Sequence, residues 1–132
     1  DPLIVAGGWI PEIAKLAGAQ PMIVSDASHF KKIDWSEALH SDPDVIIIMP
    51  CGYGIEKTLS ELNSATVAEK ISKFRATQEG RCYVGDGNQF FNRPGPRIIE
   101  STEILAALTH PNKFPDFAKK HVDLSYRQWR QP

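Results

Sequence analysis

The chain has 132 residues, 42% hydrophobic and 23% charged, with 15 basic against 16 acidic side chains and a formal net charge of -1. That length fits one domain with a real core, burying roughly 65–70% of its unfolded surface. The charge balance gives no electrostatic reason to expect nucleic acid as a partner, and no apolar run approaches the ~20 residues of a membrane span. Cys51 and Cys82 form no CxxC pair, so neither a zinc site nor a redox motif is suggested.

The chain opens directly on Asp1-Pro2-Leu3-Ile4-Val5, without a methionine or a visible signal peptide, and reads as a processed fragment or a piece of something longer. Leu3–Ala6 is a short apolar run closed by Gly7-Gly8, a buried strand by pattern. Pro11-Glu12 opens a helix whose face is Ile10, Ile13, Leu16 and Ala17, and Gly18 ends it. Met22–Val24 is a second short strand, Ser25–Lys32 a polar loop, and Ser36–His40 a brief helix with Ile33, Trp35 and Leu39 packing inward. Asp42-Pro43-Asp44 is a turn.

Val45–Met49 carries no alternating polar residue. A strand apolar on both faces is covered on both faces, which predicts a parallel sheet with helices above and below. Ile55, Leu59 and Leu62 space one helix, and Val67, Ile71 and Phe74 another. Cys82–Val84 is the next clear strand, Gly85–Gly95 a long irregular loop, and Pro96-Arg97 opens a last main helix with Ile98, Ser101, Leu105 and Leu108 on one face. Alternating strands and helices with short connections predict an α/β fold, three-layered, with a mostly parallel sheet and helices on both faces. Residues 1–114 form the α/β lobe and 115–132 a basic tail that holds Trp129 but shows no clean period.

In such sheets ligands bind beyond the carboxyl ends of the strands. Gly7-Gly8-Trp9, Pro50–Gly54 and Gly85–Arg97 each follow a strand, and each combines glycine with an aromatic. Trp9, Tyr53, Phe90 and Phe91 supply flat apolar faces, while Asn88, Gln89, Asn92 and Arg93 supply polar groups, the mixture a small-molecule cleft needs. Each has a blander reading: the glycine pair as a tight turn, Trp9 as a core cap, and one of the adjacent Phe90 and Phe91 as core. Arg97, badly placed for the helix dipole, needs a carboxylate such as Glu100 or an anionic ligand.

The sequence holds no GxxxxGK[ST] and no GxSxG, and Gly85-Asp86-Gly87 lacks the third glycine of a dinucleotide loop. His29, His40, His110 and His121 show no ligand spacing and read as surface or capping residues. Cys51, just past a strand end, is the one candidate nucleophile, and its structural reading is a buried, inert thiol. No acid/base pair follows from spacing, so the chain reads as a binder rather than an enzyme.

Taken together, Val5-Ala6-Gly7-Gly8-Trp9-Ile10-Pro11-Glu12, Ile33-Asp34-Trp35-Ser36-Glu37, Asp42-Pro43-Asp44-Val45-Ile46-Ile47, Pro50-Cys51-Gly52-Tyr53-Gly54 and the run Asp86–Arg97 resemble the C-terminal lobe of the cobalamin/ferric-siderophore class of ABC-transporter substrate-binding proteins, within it the cobalamin-binding branch. The resemblance covers about residues 3–114. It implies one lobe of a two-lobe fold, with the first lobe and the linking helix outside this chain, or a second copy in their place. It implies that Trp9, Tyr53, Phe90 and Phe91 face a corrin-sized ligand, that Asn88, Asn92 and Arg93 make polar contacts, and that Glu12 docks an ABC permease. No cofactor is required; cobalamin enters as ligand. The compartment is periplasmic or extracellular if the parent carries a signal peptide, and cytoplasmic otherwise. The alternatives are haem or ferric-siderophore binding in the same cleft, an enzyme using Cys51, and an interaction module docking through the basic tail.

Overall fold

Short apolar runs alternating with helices give a mixed α/β chain in the computed structural model, which describes residues 3–5, 10–22, 31–91 and 98–132, with the backbone alone at 90, 91 and 98. In chain order come β1 (Leu3–Val5), α1 (Ile10–Leu16), β2 (Lys31–Ile33), α2 (Trp35–Ser41) and β3 (Ile46–Ile48). Then follow α3 (Ile55–Leu62), α4 (Ala65–Ser72), α5 (Arg75–Gln78) and β4 (Cys82–Gly85). A π-helical turn (Gly87–Phe91), α6 (Ile98–Thr109), α7 (Pro115–His121) and β5 (Tyr126–Gln128) complete it.

Among the described residues, the strands form small sheets of mixed orientation rather than one mostly parallel sheet. β3 and β4 are parallel, with Ile46 opposite Cys82 and Ile48 opposite Val84. β5 joins β4 antiparallel, with Gly85 opposite Tyr126, and β1 pairs antiparallel with β2 in a separate two-stranded sheet. The polar loop expected through Lys32 therefore gives way at Lys31 to a strand. Only Ile33 of β2 is buried, so the apolar alternation that marks a strand is missing there. The strand expected at Met22–Val24 falls on residues 23 and 24, outside the described residues.

Side chains of the three-stranded sheet alternate between two apolar clusters, as a pleat of period two requires. Ile46, Ile48, Cys82, Val84 and Trp129 pack with Ile55 and Leu62 of α3 and Ile71 of α4. Ile47, Tyr83 and Tyr126 turn the other way, to Ile13 of α1 and Ile104 and Leu108 of α6. Tyr83 and Tyr126 meet edge to face with centroids 6.0 Å apart. Cys82, Val84 and Ile104 are wholly buried; a fully buried residue of the size of Val or Ile contributes about 1.5–3 kcal/mol.

Several helix faces differ from the apolar spacing. In α1, Ile10 and Ile13 are buried but Leu16 is 80% exposed. In α2 it is Ala38 that is buried, with Leu39 exposed. The Val67, Ile71, Phe74 face spans a break: α4 stops at Ser72, and Phe74 becomes the residue that caps α5. α6 is buried from Ile104 through Leu108 because α1, α7 and the sheet all lie against it, which hides its amphipathic period.

Residues 115–132 are built into this body and do not trail from it as a tail. Pro115 starts α7 in the position proline favours, and α7 packs on α6. β5 supplies the third strand, Trp129 is 2% exposed, and its indole Nε1–H donates to Asn63 Oδ1 at 3.2 Å. Arg127 reaches Glu56 of α3 at 2.7 Å from the same face of β5. The segment shows no clean period because its elements are short and each buries only a few residues.

Candidate functional site

Parallel β3 and β4 end at the same edge of the sheet, so the segments that follow them, Pro50–Gly54 and Asp86–Phe91, emerge side by side. The backbone joins them: the Asn88 N–H donates to the Tyr53 carbonyl at 3.2 Å. Because β5 runs antiparallel to β4, the residue that precedes it, Ser125, lies at this edge too. The Asp86 N–H donates to the Ser125 carbonyl at 2.9 Å.

The first wall begins as a turn in which the Tyr53 N–H returns to the Pro50 carbonyl at 3.1 Å. Gly52 takes φ +74, a left-handed value that favours glycine. Among the described residues, a Cβ placed at Gly52 or Gly54 would meet nothing within 4 Å, so both backbones face open space there. α3 then starts at Gly54, whose carbonyl accepts from the buried Thr58 hydroxyl at 3.0 Å. Tyr53 is half-buried, and the Lys57 ammonium sits 3.9 Å from its ring centroid, a cation–π contact.

The second wall hangs on Asp86. Its carboxylate is buried and accepts from the N–H groups of Asn88 and Gln89, both at 3.0 Å. This satisfies two donors at the start of the π-helical turn Gly87–Phe91, as an Asx turn does. Asn88 and Gln89 are held at the surface by it, with exposed side chains.

Beside this turn is a cleft of about 450 Å³ lined by Gln89, Glu100, Lys120, His121, Leu124 and Ser125. His121 and Ser125 are buried beneath it. His121 Nδ1 lies 3.3 Å from Ser125 Oγ, and its Nε2 lies 3.2 Å from Glu103 Oε2. Lys120 Nζ donates to the same Glu103 oxygen at 3.0 Å. Burial alone would raise the Glu103 pKa; the hydrogen bonds and charges of Lys120 and His121 outweigh it, and the carboxyl sits below its ordinary value. A smaller hollow of about 230 Å³ at Trp35, Lys70 and Phe74 contains none of the expected site residues.

Of the site residues read from sequence, the structure brings Tyr53 and Asn88 together. The backbones of Phe90 and Phe91 lie in the same turn. Trp9, Asn92 and Arg93 lie outside the described residues, as does the choice of partner for Arg97. Glu12 is on the exposed side of α1, apart from the Tyr53–Asn88 contact in sequence and element. Cys51 is exposed rather than buried, because the turn at Gly52 carries it away from the sheet; the buried thiol is Cys82. His121 is likewise buried rather than superficial, and His110 does cap, with Nε2 2.7 Å from the Gly18 carbonyl at the end of α1.

Asp86, Lys57, His121 and Ser125 are the contributors that sequence reading passed over. The Asp-Gly-Asn run is an Asx-turn signal for Asp86, and Lys57 stands four residues past Tyr53 at a helix start. Nothing local marks Ser125, which is 39 residues from the Asp86 it anchors. Among the described residues, no group of three or more His, Cys, Asp or Glu is placed to hold a metal ion, and no helix is long and apolar enough to cross a membrane. The sequence matches no model of a known protein family and no curated protein.

Proposed function

We propose that this chain is a ligand-binding lobe of a solute-binding protein for cobalamin or a similar corrinoid or metal chelate, serving ABC-type uptake. The observation that carries this reading is the Tyr53–Asn88 backbone contact. It joins, at one sheet edge, the Pro50–Gly54 turn and the Asp86–Phe91 turn, the two segments in which the motif resemblance is most specific. An aromatic at the rim, open glycine backbone and exposed amides suit a large ligand with a flat face and a polar periphery. On this reading the clusters on either side of β3 and β4 belong to a three-layer lobe, one of two. The facing wall comes from a first lobe or a second copy of the chain, and exposed Glu12 is available to a permease.

Titration with cyanocobalamin, followed by absorbance and calorimetry, tests the proposal. Saturable binding that weakens in Tyr53→Ala supports it. No binding at high micromolar concentration overturns it for this lobe. The same edge would also suit haem or a ferric siderophore, with the Tyr53 phenol as the contacting group; a Soret shift on adding hemin that is lost in Tyr53→Phe selects that ligand class. Exposed Cys51 beside Tyr53 makes a thiol enzyme the other rival, and rapid iodoacetamide labelling of Cys51 well below pH 8 would favour it.

A further inference from the structure

One hydrogen-bonded chain runs from α6 to the proposed binding edge. It starts at Glu103, which holds Lys120 and His121. It passes from the His121 ring to the Ser125 hydroxyl, and Ser125 is fixed a second time by its own N–H on the His121 carbonyl at 2.9 Å. From the Ser125 carbonyl it reaches the Asp86 N–H, and from the Asp86 carboxylate the N–H groups of Asn88 and Gln89. The Asn88 N–H ends it on Tyr53. Apart from exposed Lys120 at its start and exposed Asn88 and Gln89 at its outlet, its members lie at least partly out of water, where a broken link leaves a group unpaired.

We infer that His121 is the positioning residue of the Asp86–Phe91 turn: held by Glu103, its ring fixes Ser125, whose carbonyl anchors the amide of Asp86 and so the turn that presents Asn88 and Gln89. The inference deepens the proposed binding function and rests on it for its biological meaning, though its geometry does not. The chemistry assigns the tautomer. An ionised Glu103 can only accept, so neutral His121 carries its proton on Nε2, and Nδ1 accepts from the Ser125 hydroxyl. A proton added to Nδ1 would turn that nitrogen into a donor and force the Ser125 hydroxyl to rotate away. Among the described residues, the charged groups around the ring are Glu103 and Glu100 of α6 and Lys120 of α7, the latter two sharing the cleft with it.

Amide hydrogen exchange on the whole chain at pH 8 tests this, comparing the native protein with His121→Leu and His121→Gln. Leucine fills the space without either hydrogen bond, whereas glutamine can donate to Glu103 and accept from Ser125. The expected result is exchange at Asp86, Asn88 and Gln89 faster by about tenfold in His121→Leu. Exchange at Leu108, in the buried stretch of α6, stays at its native rate, and His121→Gln restores slow exchange at the turn. Imidazole nitrogen shifts of the native chain show the Nε2–H tautomer. Equal acceleration at Leu108, no acceleration at the turn, or the opposite tautomer overturns the inference. Cyanocobalamin binding is read in parallel: weaker in His121→Leu and native-like in His121→Gln. If the native chain binds no cyanocobalamin, the functional reading fails while the exchange pattern still decides the role of His121.

Discussion

The buried carboxylate of Asp86 receives the N–H groups of Asn88 and Gln89 at 3.0 Å each, so one side chain sets the shape of the turn that follows β4. Asp86→Ala leaves both donors without that acceptor. Unfolding by urea should show a loss of about 1–3 kcal/mol. Asp86→Asn, whose amide oxygen can still accept, should lose less, and equal losses would show that the carboxylate charge rather than its geometry matters.

Acid should weaken the fold through Glu103. Lys120 and His121 hold its carboxyl below the ordinary value of 4.5, against the opposing push of burial. A carboxyl with a depressed native pKa contributes stability above its unfolded value, lost as pH falls through the folded one. Urea midpoints measured downward from pH 6 should therefore begin to drop near pH 4.5 and continue below it. In Glu103→Gln this part of the drop should be absent, and an unchanged acid limb would count against the assignment.

The two thiols should separate cleanly. Burial pushes the Cys82 pKa up to about 11, and the thiol is inaccessible. Iodoacetamide at pH 8 should label Cys51 alone in the native protein and both cysteines in urea, as read by peptide mass.

Removing the last strand should unfold the whole domain. Trp129→Ala empties a site 2% exposed and leaves Asn63 without the indole N–H, so a loss of about 3–5 kcal/mol is expected in thermal or urea unfolding. A chain ending at residue 122 lacks β5 and should lose its cooperative transition. A sharp transition in that truncated chain would restore the picture of a dispensable tail.

The elements legible in the sequence were those with a one-dimensional signature. Val45–Met49 and Cys82–Val84 are apolar without interruption, and β3 and β4 lie within or across those runs. The helix spaced by Ile55, Leu59 and Leu62 is α3. The juxtaposition of Tyr53 with Asn88 followed from the rule that parallel strands end at one edge. The elements that escaped have three-dimensional causes. β2 and β5 are three residues each and bury little, so neither alternates visibly. The antiparallel return of β5, which makes the sheet mixed, depends on the tight passage from His121 to Tyr126, where Asp123 takes φ 61. The His121–Ser125–Asp86 linkage depends on that same passage.

The ties that assemble the site edge differ in kind from the residues it displays. Tyr53 meets Asn88, and Ser125 meets Asp86, through main-chain carbonyl and N–H groups alone. Such bonds are indifferent to what the side chains at 53 and 88 are. The edge can therefore be re-equipped with new side chains at 53 and 88 while its scaffold stands, provided Asp86 and the His121–Ser125 pair behind it are kept. That separation would let selection, natural or in the laboratory, vary the chemistry of the surface without rebuilding the domain beneath it.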